Sequence, residues 1–157
     1  MRCIITKQIK WHMGHRVPSH KSKCRSMHGH TYHLKAEVLG VVGETEGTSD
    51  EGMVIDFGDI KTILMTNIYN VLDHAMMLWE KDLLVPALRA DQATNLIEVP
   101  FIPTAENIAR WCFEQVDNDL HIPGRRRLLR IVVNETPTSA AEYSPLDQGS
   151  KEDLLNE

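Results

Sequence analysis

From residue 3 to residue 15 the odd positions carry Cys3, Ile5, Ile9, Trp11, Met13 and His15, while Thr6, Gln8, Lys10 and His12 fall on the even ones. A repeat of two marks a strand with one face buried, so a strand is predicted here, with His15 ending its inner face. A second strand is predicted over 28–42. There Tyr32, Leu34, Ala36 and Val38 alternate with His33, Lys35 and Glu37. The parity puts His28 and His30 on the inner face and His33 on the outer one. Residues 43–52 are acidic and rich in Gly, Ser and Thr and read as a flexible hairpin loop. Residues 53–55 read as a short apolar strand.

Helical spacing follows. Asp56 is suited to cap a helix whose stripe is Phe57, Ile60, Leu64, Ile68 and Val71-Leu72, ending at Asp73-His74. Residues 75–103 give a weaker pattern: an apolar Met76-Met77-Leu78-Trp79, a short helix to Leu88, and a short strand at 96–99. Pro103-Thr104 opens another helix, with Ala105, Ile108, Ala109, Cys112, Val116 and Leu120 inward. Pro123-Gly124 ends it. A further strand then places Leu129, Ile131, Val133 and Glu135 on one face, and a last short strand covers 140–143. The order implies an α+β fold, a sheet with both helices on one face. One domain over residues 1–145 is expected, with an acidic, flexible tail at 146–157.

Composition narrows the class. At 157 residues, 42% hydrophobic and 25% charged, the chain suits a single globular domain. A net charge of −5 disfavours nucleic acid as a partner. Three scattered cysteines argue against a disulfide framework. There is no apolar leader at the N-terminus and no run long enough to span a bilayer, so a cytoplasmic location and no membrane partner are expected.

The chemistry concentrates at one end of the two predicted strands. His15, His28 and His30 share the inner face, and three neutral imidazoles without a fourth protein ligand make the open type of zinc site. Cys24 lies four residues before His28, in a loop carrying Arg16, Lys21, Lys23 and Arg25, a setting that favours thiolates and anionic substrates. The rival reading is a closed Cys-His-His-His zinc site that only stabilises a binding module. Asp73-His74 also reads as a polar helix terminus, and Thr104 as an N-cap. Cys112 reads as core packing. Arg125-Arg126-Arg127 reads as a solvated turn, with a triphosphate or RNA contact as the alternative. Glu135 ends an otherwise apolar face, where an unpaired carboxylate is costly; it either bends out to solvent or awaits a ligand with hydrogen-bond donors.

Taken together, Gly14-His15-Arg16, Cys24-x-x-x-His28-Gly29-His30, Gly52-Met53-Val54-Ile55-Asp56-Phe57, Leu72-Asp73-His74, Pro103-Thr104-Ala105-Glu106-Asn107 and Glu135-Thr136 resemble the 6-pyruvoyltetrahydropterin synthase/6-carboxytetrahydropterin synthase family. The resemblance covers roughly residues 5–144. It implies the tunnelling fold: a four-stranded antiparallel sheet with two helices on one face, joined between subunits into a barrel, commonly a homohexamer of two trimers. It implies zinc on His15, His28 and His30, Cys24 as catalytic thiol, and Asp73 with His74 as a proton relay supplied from a neighbouring subunit. Glu135 would anchor a pterin ring, with Thr104 and Glu106 nearby, and the substrate would be 7,8-dihydroneopterin triphosphate. The three-residue gap between Cys24 and His28 resembles the carboxy-forming branch, whose product leads to 7-deazaguanines such as queuosine. Residues 75–102 are longer than in many members, and the acidic tail is extra.

Overall fold

A computed structural model of the chain describes residues 1–145; the tail expected at 146–157 lies outside the described residues. Two 14-residue strands, β1 (Arg2–His15) and β2 (His28–Val41), pair antiparallel in unbroken register. Their alternation has the predicted consequence: Trp11, Met13, Tyr32, Leu34, Ala36 and Val38 are buried. Trp11 lies opposite Tyr32, and their rings stack with centroids 5.4 Å apart. The same register sets His15 against His28 and Met13 against His30, gathering the three histidines at one end of the sheet.

The Asp56 side chain accepts the Gly58 amide and starts α1 (Phe57–Leu64), which runs through a π-helical segment (Met65–Tyr69) into a last turn, α2 (Asn70–Leu72). Ile60, Leu64, Ile68 and Leu72 are all fully buried. A spacing of four overruns the 3.6 residues of an α-turn, and the wider π turn absorbs that drift. Phe57, expected on the same stripe, is instead half exposed at the helix mouth, with the Lys7 ammonium over its ring.

Residues 75–79 form a strand that the pattern did not reveal. β3 (Ala75–Trp79) runs parallel to β1, and β4 (Leu96–Val99) runs parallel to β3 after the short helix α3 (Val85–Ala90). Ala75, Met77 and Leu78 are buried. A strand covered on both faces loses its period-2 signal and reads as a plain apolar run.

α4 (Ala105–Leu120), capped by Thr104, is followed by β5 (Arg126–Thr136) and β6 (Ser139–Tyr143). Its Ile108, Ala109, Cys112, Val116 and Leu120 join Ile60, Leu64, Trp11, Tyr32 and Ile131 in one core. Cys112 is wholly buried, and burial pushes its thiol pKa up.

The expected four-stranded antiparallel sheet is therefore six-stranded and mixed, in the order β4-β3-β1-β2-β5-β6. In the single chain it is open, with β4 and β6 at its edges; the expected oligomeric barrel is not a feature of one subunit. Residues 53–55 are not a strand. Val54 and Ile55 are buried as a plug, with Val54 against Gly40, where an added Cβ would sit 2.3 Å from the valine methyl. Their apolarity goes with burial in the core and not with sheet pairing. On β5 the buried residues are Leu128, Ile131 and Val133, not Leu129. A register shift opposite Glu37/Val38 leaves Leu129 as the extra, bulged residue.

On the outer face Glu37 accepts from Arg130 at 2.5 Å and pairs with Lys35 at 2.8 Å, while Arg130 also reaches Glu142. Lys35 first, then Arg130, holds the Glu37 carboxyl below its ordinary value. A depressed carboxyl contributes stability above the unfolded value and loses it as pH falls through the folded one. Glu37→Gln is accordingly expected to be less stable than the parent at pH ~7, and the difference to be smaller at pH ~3. Denaturant midpoints at the two pH values check this; a deficit equal at both would contradict it.

Candidate metal centre

The ends of β1 and β2 bring His15, His28 and His30 together, with one ligating nitrogen from each lying within 4.8 Å of the others. The His15 Nδ1 donates to the Pro103 carbonyl at 2.7 Å, and the His28 Nδ1 donates to the Ser26 carbonyl at 2.8 Å. Each bond fixes a tautomer and leaves Nε2 as the free electron-pair donor. The His15 and His30 Nε2 atoms are buried without a hydrogen-bond partner. Burial holds the His15 pKa below its ordinary value, so the ring is neutral near pH 7. Three converging imidazoles, two of them with orphaned Nε2 atoms, fit an open zinc site.

Glu135 closes one wall. Its Oε1 lies 3.3 Å from the His15 Nε2 and 3.9 Å from the His30 Nε2, with no hydrogen bond to either. It accepts a long hydrogen bond, 3.5 Å, from the Tyr32 hydroxyl. Burial and Glu135 push the Tyr32 pKa up, so the phenol keeps its proton. Tyr32 also meets the His15 and His30 rings edge-on. Tyr32 was not singled out from sequence, although its place two residues beyond His30 on the same face was the available signal. The Pro103 and Ser26 carbonyls had no such signal; Pro103 is 88 residues from His15.

Thr104 caps α4 by accepting the Asn107 amide, and Pro103 just before it holds His15, so the start of that helix is fixed beside the histidines. Glu106 sits in the first turn of α4 and is exposed. Cys24 lies partly buried in a single 3-10 turn (Lys23–Arg25), its carbonyl accepting the Val17 amide at 2.8 Å.

Asp73 and His74 form a pair of their own. The His74 Nδ1 donates to Asp73 Oδ2 at 2.8 Å, and Asp73 Oδ1 accepts the His12 amide at 2.9 Å. That amide, ahead of His74 and Tyr69, holds the Asp73 carboxyl below its ordinary value. His74 adopts φ 60° and is exposed. Its ring lies against His12, whose strand parity is opposite to that of His15. The pair therefore does not join the histidine triad of its own chain.

Arg16, next to His15, donates to Asp82 at 2.7 Å; the Asp82 side chain is completely buried and also accepts the Leu84 amide. Removing one partner of a buried pair leaves an uncompensated charge. Arg16→Ala is expected to destabilise the fold by ~3 kcal/mol, read from denaturant unfolding; a change under ~0.5 kcal/mol would show the pair to be no more than a surface contact.

The model of the 6-pyruvoyl tetrahydropterin synthase family matches residues 4–145. A Haemophilus influenzae protein named 6-carboxy-5,6,7,8-tetrahydropterin synthase is 34% identical over 142 residues, covering 88% of this chain and 96% of that one. A Synechocystis protein of the same name is 33% identical over 140 residues, covering 89% and 92%. Among solved structures, an uncharacterized protein from Wolinella succinogenes superposes with a TM-score of 0.73 at 23% identity, covering 92% of this chain and 99% of that one. Caenorhabditis elegans 6-pyruvoyl tetrahydropterin synthase does so with 0.64 at 23% identity, covering 92% and 96%. At that identity the structures speak for the fold, while the family model spans nearly all the described residues. The chain belongs to the 6-pyruvoyl tetrahydropterin synthase family.

Proposed function

We propose that the protein is a zinc-dependent lyase converting 7,8-dihydroneopterin triphosphate and water to 6-carboxy-5,6,7,8-tetrahydropterin, acetaldehyde and triphosphate, a step towards 7-deazaguanines such as queuosine. The observation that carries the reading is the converging imidazole triad, with two rings pinned at Nδ1 and buried Nε2 atoms left unpartnered. The names of the two bacterial relatives support the carboxytetrahydropterin product.

His15, His28 and His30 hold the zinc, which when bound supplies Lewis acidity to the oxygens of the substrate side chain. Glu135, steadied by Tyr32, accepts the guanidine-like N–H groups of the pterin, with Thr104 and Glu106 at the rim of the ring pocket. Cys24 moves the proton at the side-chain carbon next to the ring. Asp73 fixes the His74 tautomer, and exposed His74 exchanges the second proton in the site of a neighbouring copy, since its own triad lies across the sheet. Loss of triphosphate and cleavage of the bond between the first and second side-chain carbons leave a two-carbon aldehyde. Water provides the second carboxyl oxygen. The assembly is a homo-oligomer, a hexamer of two trimers, and its setting is the cytoplasm; no helix among the described residues is long and apolar enough to cross a membrane.

Trapping released aldehyde as its hydrazone during turnover tests the branch. Acetaldehyde equimolar with substrate consumed is expected. Triphosphate release without acetaldehyde would move the chain to the pyruvoyl-forming activity.

A further inference from the structure

At the end of the sheet remote from the histidines, a cavity of about 330 Å³ opens between the start of β1, the end of β2 and the turn before β5. That volume lies within the size range of small-molecule sites. Its walls carry Arg2, Arg125, Arg126 and Arg127, with Leu39 and Ile122 among the apolar residues and no carboxylate. Arg2 stands thirteen positions before His15 on β1, roughly 40 Å along the strand at ~3.3 Å per residue. The cavity is thus separate from the triad of the same chain.

The backbone carrying Arg125 and Arg126 is held in place. Gly124 takes φ +70°, which glycine adopts without strain, and Ile122 and Arg126 exchange backbone hydrogen bonds across the turn. The Arg125 carbonyl accepts the Val41 amide at 2.8 Å, and Arg126 pairs with Gly40 in the sheet. The charge is only partly answered. Arg125 meets Asp50, and Asp59 acts on Arg126 from a distance. Arg2 and Arg127 have no ion pair among the described residues, and the Arg126 Nε is buried without an acceptor. A guanidinium cannot relieve such crowding by losing a proton. It needs acceptors, and oligophosphate oxygens offer several in the geometry that arginine forks match.

We propose that this cavity binds a small, multiply charged phosphate anion. The proposal does not depend on the reaction assigned to the histidine site. Calorimetric titration of the full chain with inorganic triphosphate, and separately with inorganic phosphate, tests it. Triphosphate is expected to bind more tightly, and Arg127→Gln and Arg2→Gln each to weaken it about tenfold. His28→Ala is expected to leave the affinity unchanged. Amide-shift mapping of the unmodified protein decides the location even if a variant folds poorly: perturbations at 39–41 and 124–127 support the site. Absence of binding at millimolar triphosphate, shifts confined to 28–32, or loss of binding in His28→Ala alone would overturn it.

Discussion

Replacing His28 with alanine is expected to lower zinc affinity more than ~100-fold, beyond the loss typical of groups that merely orient a ligand. Turnover of the pterin triphosphate should fall with it. The physical reason is the geometry at the strand ends. His28 and His15 lie side by side, ring centroids 4.5 Å apart, and each is pinned at Nδ1 by a backbone carbonyl. With one imidazole gone, two ligands cannot complete a site that already leaves one position open. His28 is only partly buried, so the fold should survive the change. His33, on the exposed face of the same strand, is the matched control, and His33→Ala should keep both metal and activity. Metal content after dialysis, read beside circular dichroism, checks this. Full zinc occupancy in His28→Ala would show that the triad is not the metal site.

The second large effect is expected at Cys24. Cys24→Ala should retain zinc and melt like the parent, yet lose ~10²–10⁴ in kcat, the range for removing a positioned proton-transfer group. A closed Cys-His-His-His site makes the opposite demand: metal and stability would be lost together, because a structural zinc contributes directly to folding. The triad gathers its three donors without the thiol, which favours the first outcome. Loss of zinc in Cys24→Ala would turn the protein into a zinc-stabilised module and remove the catalytic reading.

Much of this site was legible in two period-2 strands. Because β1 and β2 pair without interruption from Arg2↔Val41 to His15↔His28, parity alone put His15, His28 and His30 on one face at one end. Cap residues were readable as well: Asp56 and Thr104 both accept the amides their helices leave free. β3 was not readable, since burial on both faces erased its alternation. Leu129 was misplaced by a bulge, which inserts a residue that no hydropathy pattern marks. The carbonyls of Pro103 and Ser26 lay outside any side-chain pattern, as backbone acceptors carry no residue signature. Asp73-His74 was visible as a pair, but its position across the sheet from the triad follows from the pairing of its backbone with His12.

The most direct test of the proposed lyase is to incubate zinc-loaded protein with 7,8-dihydroneopterin triphosphate and identify the pterin product by mass spectrometry. The expected product is 6-carboxytetrahydropterin, formed by the parent and absent with Cys24→Ala. Unchanged substrate in the presence of verified zinc would contradict the assignment.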